Sequence, residues 1–141
     1  MLDLGLIIAR LQTLEGMTAR VALAATIADA VALNVAQDRY LWIASPNSAS
    51  DAGKDANRTV QRSALRFSIV ALVRNVQDAA GAGALAEMAL LRQSVIDALL
   101  GWEPAEGHGP IEHIRDAALS WDGARLYWAD EFRSIHYLRG V

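Results

Sequence analysis

A chain of 141 residues, 53% of them hydrophobic, is long enough to bury one core and too short for two ordinary domains. A formal charge of −3 and a pI near 5.5 argue against a general nucleic-acid binder, whose footprint is a strongly basic face. The absence of cysteine excludes a disulfide framework, a thiolate nucleophile and a cysteine-based metal site.

The amino-terminal stretch MLDLGLIIARLQTLEG has an apolar run, but Asp3 stands where a leader peptide carries positive charge and Arg10 interrupts the run. Neither an exported leader nor a membrane span is expected there. Leu4, Ile7, Ile8, Leu11 and Leu14 follow helical spacing instead, and predict a first helix over 3–15 ended by Gly16. Residues 20–26 read as a short strand and 27–37 as a second helix, with an alanine-rich join that hides the boundary. Tyr40–Ala44 is aromatic and β-branched and reads as a strand ending at Ser45-Pro46. Residues 46–59 contain no large apolar side chain, so they predict a mobile loop unless a partner fixes it.

The organising stretch follows. Leu65, Phe67, Ile69, Ala71 and Val73 alternate with Arg62, Arg66, Ser68 and Arg74, the period of a long strand. Val70 and Leu72 break the alternation, so the strand's middle should be covered on both sides. After a turn at 78–83, Ala84, Met88, Leu91, Val95, Leu99 and Trp102 recur at helical steps, with Leu85, Ile96 and Leu100 widening the stripe. Gly101 and Pro104 close that helix. Asp122-Gly123 between two alternating segments predicts a hairpin over 111–138. Its second arm, extended throughout, would span about 45–50 Å, so either a bulge splits it or something besides its own core supports it. The order favours a single α+β domain over 1–141, a mostly antiparallel sheet with helices packed on one face.

No catalytic constellation emerges. Asp130 and Glu131 are neighbours on a strand and point to opposite faces, so they read as a solvated or salt-bridged pair rather than a shared acid-base site. Glu103, Glu106, His108, Glu112 and His113 crowd one loop, but a metal would need three or four of them to converge, and His136 is distant in sequence. The GAG of 81–83 lacks the spacing of a phosphate-binding fingerprint. No enzyme, cofactor or metal site is expected. Arg62 and Arg66 project from one strand face and could meet an acidic partner. Trp42, Trp102, Trp121 and Trp128 read as core or interface anchors.

In order and spacing, these elements resemble the tail terminator family of long-tailed bacteriophages. The LIIARLQTL helix, the strand from Gln61 to Val-Arg-Asn75, the turn at 78–83, LLRQSVIDALLGWEP with Gly101-Trp102-x-Pro104, and the closing YWADEF carry the resemblance across nearly the whole chain. It implies a structural virion protein, made in the host bacterial cytoplasm and located at the head-proximal end of the tail. There it forms a homo-oligomeric ring, a hexamer, that ends tube polymerisation and offers a head-side joining surface. The implied partners are further copies of itself, the tail tube protein and a head-side connector, with DNA only passing through and no membrane. Arg62, Arg66, Lys54, Trp128 and Arg133 are the interface candidates, and the loop at 46–59 is expected to order against the tube or a neighbouring subunit. Alternative readings are another head-tail completion or minor tail protein, or a small ligand-binding α+β domain.

Overall fold

The computed structural model describes residues 3–33, 35–50, 60–77 and 80–139. Three helices and five strands follow in the order α1 (Leu4–Gln12), β1 (Val21–Ala24), α2 (Ile27–Ala32), β2 (Arg39–Ser50), β3 (Val60–Arg74), α3 (Ala82–Leu99), β4 (Glu112–Trp121) and β5 (Arg125–Arg139). The strands form one sheet in the order β1-β2-β3-β5-β4. Every pairing is antiparallel except β1 with β2, which α2 joins as a crossover. The α+β class and mostly antiparallel sheet are therefore as expected.

Local chemistry sets the element ends. Asp3 caps α1 by accepting from the Gly5 amide at 2.8 Å, and Thr26 caps α2 by accepting from Asp29 at 3.0 Å. Ser45-Pro46 does not stop β2. Ser45 takes a φ of 51° and the register shifts between Ala44 and Asn47, so the pair forms a bulge through which β2 runs on to Ser50. Proline is tolerated there because β1 ends its pairing at Ala44, and the missing N–H faces no strand partner. Residues 46–50, expected in a loop, are thus strand; the rest of that loop lies outside the described residues.

Period-two alternation gives the sheet two apolar faces. On the first, Leu65, Phe67, Ile69, Ala71 and Val73 pack with Ile7 and Leu11 of α1 and with Met88, Leu91, Val95 and Leu99 of α3. On the second, Val70, Leu72, Trp42, Tyr127 and Ala129 meet Ala30 of α2. The helices do not all pack on one face: α1 and α3 share the first, while the short α2 lies on the second, which is why the middle of β3 is apolar on both sides. Trp42, Phe67 and Phe132 are among the fully buried side chains, each stabilising by roughly 1.5–3 kcal/mol. Leu85 and Leu100 do not widen the buried α3 stripe: both remain about half exposed.

The second arm of the hairpin is neither split nor bulged against its main neighbour. β3 and β5 pair in unbroken register from Val60↔Arg139 to Arg74↔Arg125. The shifts fall instead in β4, between His113 and Arg115 and between Ala118 and Ser120. β4 is an edge strand, and such irregularities discourage uncontrolled edge pairing. At the hairpin turn Gly123 takes a φ of 90°, while Asp122 accepts from the amides of Ala124 (2.9 Å) and Arg125 (2.6 Å). Those two bonds hold the Asp122 carboxyl below its usual range.

Candidate interface: the uncovered face of the sheet arm

α2 covers only part of the second sheet face. Beyond it the face continues along β3 through Arg66, Ala64 and Arg62, which stand opposite Arg133, Ile135 and Tyr137 of β5. Arg62 and Tyr137 are exposed, and Arg66 and Arg133 are half-buried. Three of the five interface candidates, Arg62, Arg66 and Arg133, are therefore brought together. Lys54 lies outside the described residues.

Arg66 directly opposite Arg133 is a like-charge pair, which by itself is destabilising. Acids on adjacent positions offset it. Arg133 donates through Nε and Nη2 to Glu112 Oε2 at 3.0 and 2.8 Å, and Glu131 sits between Arg66 at 3.8 Å and Arg115 at 3.1 Å. The result is an alternating arginine-glutamate lattice on a rigid antiparallel support. With side chains from 24% to 67% exposed, each pair adds little to monomer stability. Such a lattice suits a partner that presents complementary charges in fixed register.

Trp128 does not join this surface. It points to the first face under α3, where its Nε1 donates to Asp116 Oδ1 at 3.1 Å and the Arg92 guanidinium lies 4.8 Å above its ring. There it borders an apolar groove of about 250 Å³ with Gly81, Leu85 and Trp121.

The same side of the sheet holds a charge cluster that sequence reading missed. Arg92 of α3 donates to both Asp130 oxygens at 2.9 and 2.8 Å and approaches Asp116 at 3.2 Å, and His113 Nε2 lies 2.9 Å from Asp130 Oδ1. Asp130 is 2% exposed. The carboxylates hold Arg92 still more firmly protonated, chiefly through the bond to Asp130. His113, Asp116 and Asp130 have ligand atoms within 4.8 Å of one another. The guanidinium already supplies the positive charge there, so the cluster is a clamp of α3 onto β4 and β5. Its signal was present: Arg92 falls four residues after Met88 and three before Val95, on the apolar stripe of the helix.

Asp130 and Glu131 do face opposite sides, the first under α3 and the second in the arginine lattice. The residues that crowd one stretch of sequence disperse: Glu112 goes to Arg133, His113 to Asp130, and His108 to His136. Burial lowers the pKa of both His108 and His136.

The family model for the phage tail terminator protein matches residues 1–140. The chain belongs to that family. It is accordingly a structural protein of the phage tail. A search of curated proteins finds no match. Among solved structures, a chain from the virion of a native gene transfer agent particle is similar, with a TM-score of 0.64 and 14% identity over 95% of this chain and 92% of that one. At that identity the likeness concerns the fold. No helix among the described residues is long and apolar enough to cross a membrane.

Proposed function

We propose that this protein caps the phage tail tube as a homo-oligomeric ring, a hexamer, ending tube polymerisation and presenting the surface to which the head-side connector attaches. The family match over residues 1–140 carries the reading. The architecture is consistent with it. A ring needs two different complementary patches on each subunit. The uncovered arm bearing Arg62, Arg66 and Arg133 is one such patch on this reading, and its polar, registered character fits a contact that must close at a set angle. The role is structural rather than catalytic. The tail tube protein and the connector are the partners, Lys54 lies in the segment assigned to the tube or a neighbouring subunit, and DNA passes through the channel. Assembly follows synthesis in the host bacterial cytoplasm, and the ring resides at the head-proximal end of the tail.

The test is complementation of a phage lacking the protein with Arg66→Glu, scored by tail length and head attachment in electron micrographs. Tails of uncontrolled length or headless tails are expected. Normal particles would remove the arginine face from the interface.

A further inference from the structure

Among the described side chains, the arginines with neither a carboxylate at ion-pair distance nor a side-chain hydrogen bond are Arg39, Arg74 and Arg125. All lie at one end of the sheet. Arg39 opens β2 opposite Val73, and Arg74 closes β3 directly opposite Arg125 at the start of β5. Arg74 and Arg125 stand two residues from Leu72 and Tyr127 and so share the second face, whereas Arg39, two residues from Leu41, turns to the first. Like charges directly opposed are destabilising, and no acid of the same chain offsets them here as Glu112 and Glu131 do for Arg133 and Arg66. The flanking acids are engaged elsewhere: Asp38 pairs with Arg20 at 2.6 Å, and Asp122 bonds the amides of Ala124 and Arg125. Arg125 is half-buried, and its Nε is sealed without a partner, so part of this cation is desolvated without compensation. Arg74 is exposed, and Val76, 65% exposed, adds an apolar surface just beyond it.

The opposite end of the molecule carries a patch of reversed charge. The loop after α3 lies against Ile135, where the Gly109 amide donates to Ile135 O at 2.7 Å, about 33 Å from Arg125 along β5. In that loop Glu103 and Glu106 are exposed, and neither makes an ion pair or a side-chain hydrogen bond among the described residues. Half-buried Pro104 and Ala105 lie between them, and the His108 amide, donating to Ala105 O at 3.1 Å, closes the segment into a turn. Two acids around an apolar dipeptide therefore match two arginines beside an apolar side chain.

We propose that Arg74 and Arg125 bind Glu103 and Glu106 of a second copy of this chain, with Val76 set against Pro104 and Ala105 of the same loop. The inference rests on the ring reading and supplies the second of the two different patches that a ring requires. Because the patches differ and lie at opposite ends, the contact is heterologous and repeats from subunit to subunit until the rotation closes. Guanidinium groups suit carboxylates in bidentate geometry, and closing the contact removes the water that makes such pairs weak at an open surface. A nucleic-acid phosphate is a poorer occupant, since backbone binding calls for a basic stripe and the chain carries a net charge of −3.

The test follows assembly of the full-length protein by sedimentation velocity, alone and with tail tubes, together with negative-stain images of the tube ends. Arg74→Glu, and separately the double variant Glu103→Arg, Glu106→Arg, should each weaken association by about tenfold or more. A glutamate at position 74 faces Arg125 across the strands, so the melting temperature of the monomer should hold or rise while assembly is lost, which separates a broken contact from unfolding. Arg39→Gln, on the other face, should leave assembly unchanged. The fourfold variant Arg74→Glu, Arg125→Glu, Glu103→Arg, Glu106→Arg reverses both patches and should restore rings. A wild type that forms no ring, free or on tubes, overturns the ring reading and this contact with it. Wild-type rings that persist in Arg74→Glu, or that fail in Arg74→Glu but survive reversal of Glu103 and Glu106, overturn this contact alone. The same holds for a fourfold variant that melts like the wild type and still does not assemble.

Discussion

Removing Arg92 tests how α3 is held to the sheet. In the wild type its guanidinium makes a bidentate pair with Asp130, whose side chain is 3% exposed, while the arginine is itself only 20% exposed. Arg92→Met keeps much of the aliphatic stem over Trp128 but leaves a carboxylate buried without its main partner. Breaking a fully buried pair from one side costs about 3–5 kcal/mol. Partial exposure of Arg92 and the remaining contact from His113 reduce this, so a loss of about 2–4 kcal/mol is expected. For a chain of this size that corresponds to a drop in melting temperature of roughly 6–14 °C. Thermal unfolding followed by circular dichroism reads it directly. The double variant Arg92→Met, Asp130→Leu removes both charges and should recover more than half of the loss, since an apolar pair can replace a buried ion pair at little cost. A single-variant loss below about 1 kcal/mol, or no recovery in the double variant, would refute the clamp.

Other expectations follow from particular contacts. Gly81 takes a φ of 85° and a Cβ there would lie 3.2 Å from the Trp121 ring, so Gly81→Ala should cost about 1–3 kcal/mol by chemical denaturation. Asp122→Ala loses two amide bonds at an exposed turn and should cost about 1 kcal/mol at neutral pH. Because the folded-state pKa of Asp122 is depressed, that contribution is present above the ordinary carboxylate range and is lost as pH falls through the folded value. The gap between wild type and variant should therefore close in strongly acidic solution, as measured by stability against pH. Arg66→Glu places a like charge beside Glu131, yet both are partly exposed, so monomer stability should fall by no more than about 1 kcal/mol while assembly fails. A large loss of monomer stability would make the assembly defect uninformative about the interface.

Much of the fold could be read from the sequence because the relevant signals are local. The alternation in β3, the stripe of α3 and the Asp122-Gly123 turn each depend on backbone period or on the tolerance of glycine for positive φ, and each is found close to its expected place. The extent of β2 was hidden because Ser-Pro usually ends a strand, and here it forms a bulge that depends on where β1 stops. The apolar residues at Val70 and Leu72 correctly indicated cover on both faces but could not say that α2 provides it. Side-chain partners across the sheet were illegible. Arg92 to Asp130 spans 38 residues and His108 to His136 spans 28, and register alone decides such meetings. Trp128 illustrates the same point: its type suggests an anchor, but only strand parity shows that it lies under α3 rather than beside Arg133.

The most direct test of the ring is the solution mass of the purified protein by light scattering over a concentration series, with negative-stain images of any large species, repeated with added tail tubes. Six chains of 15.2 kDa give about 91 kDa, and annular particles of that mass are expected, either free or on the tube ends. A protein that stays at the mass of one chain in both conditions, and leaves the tubes uncapped, would contradict it.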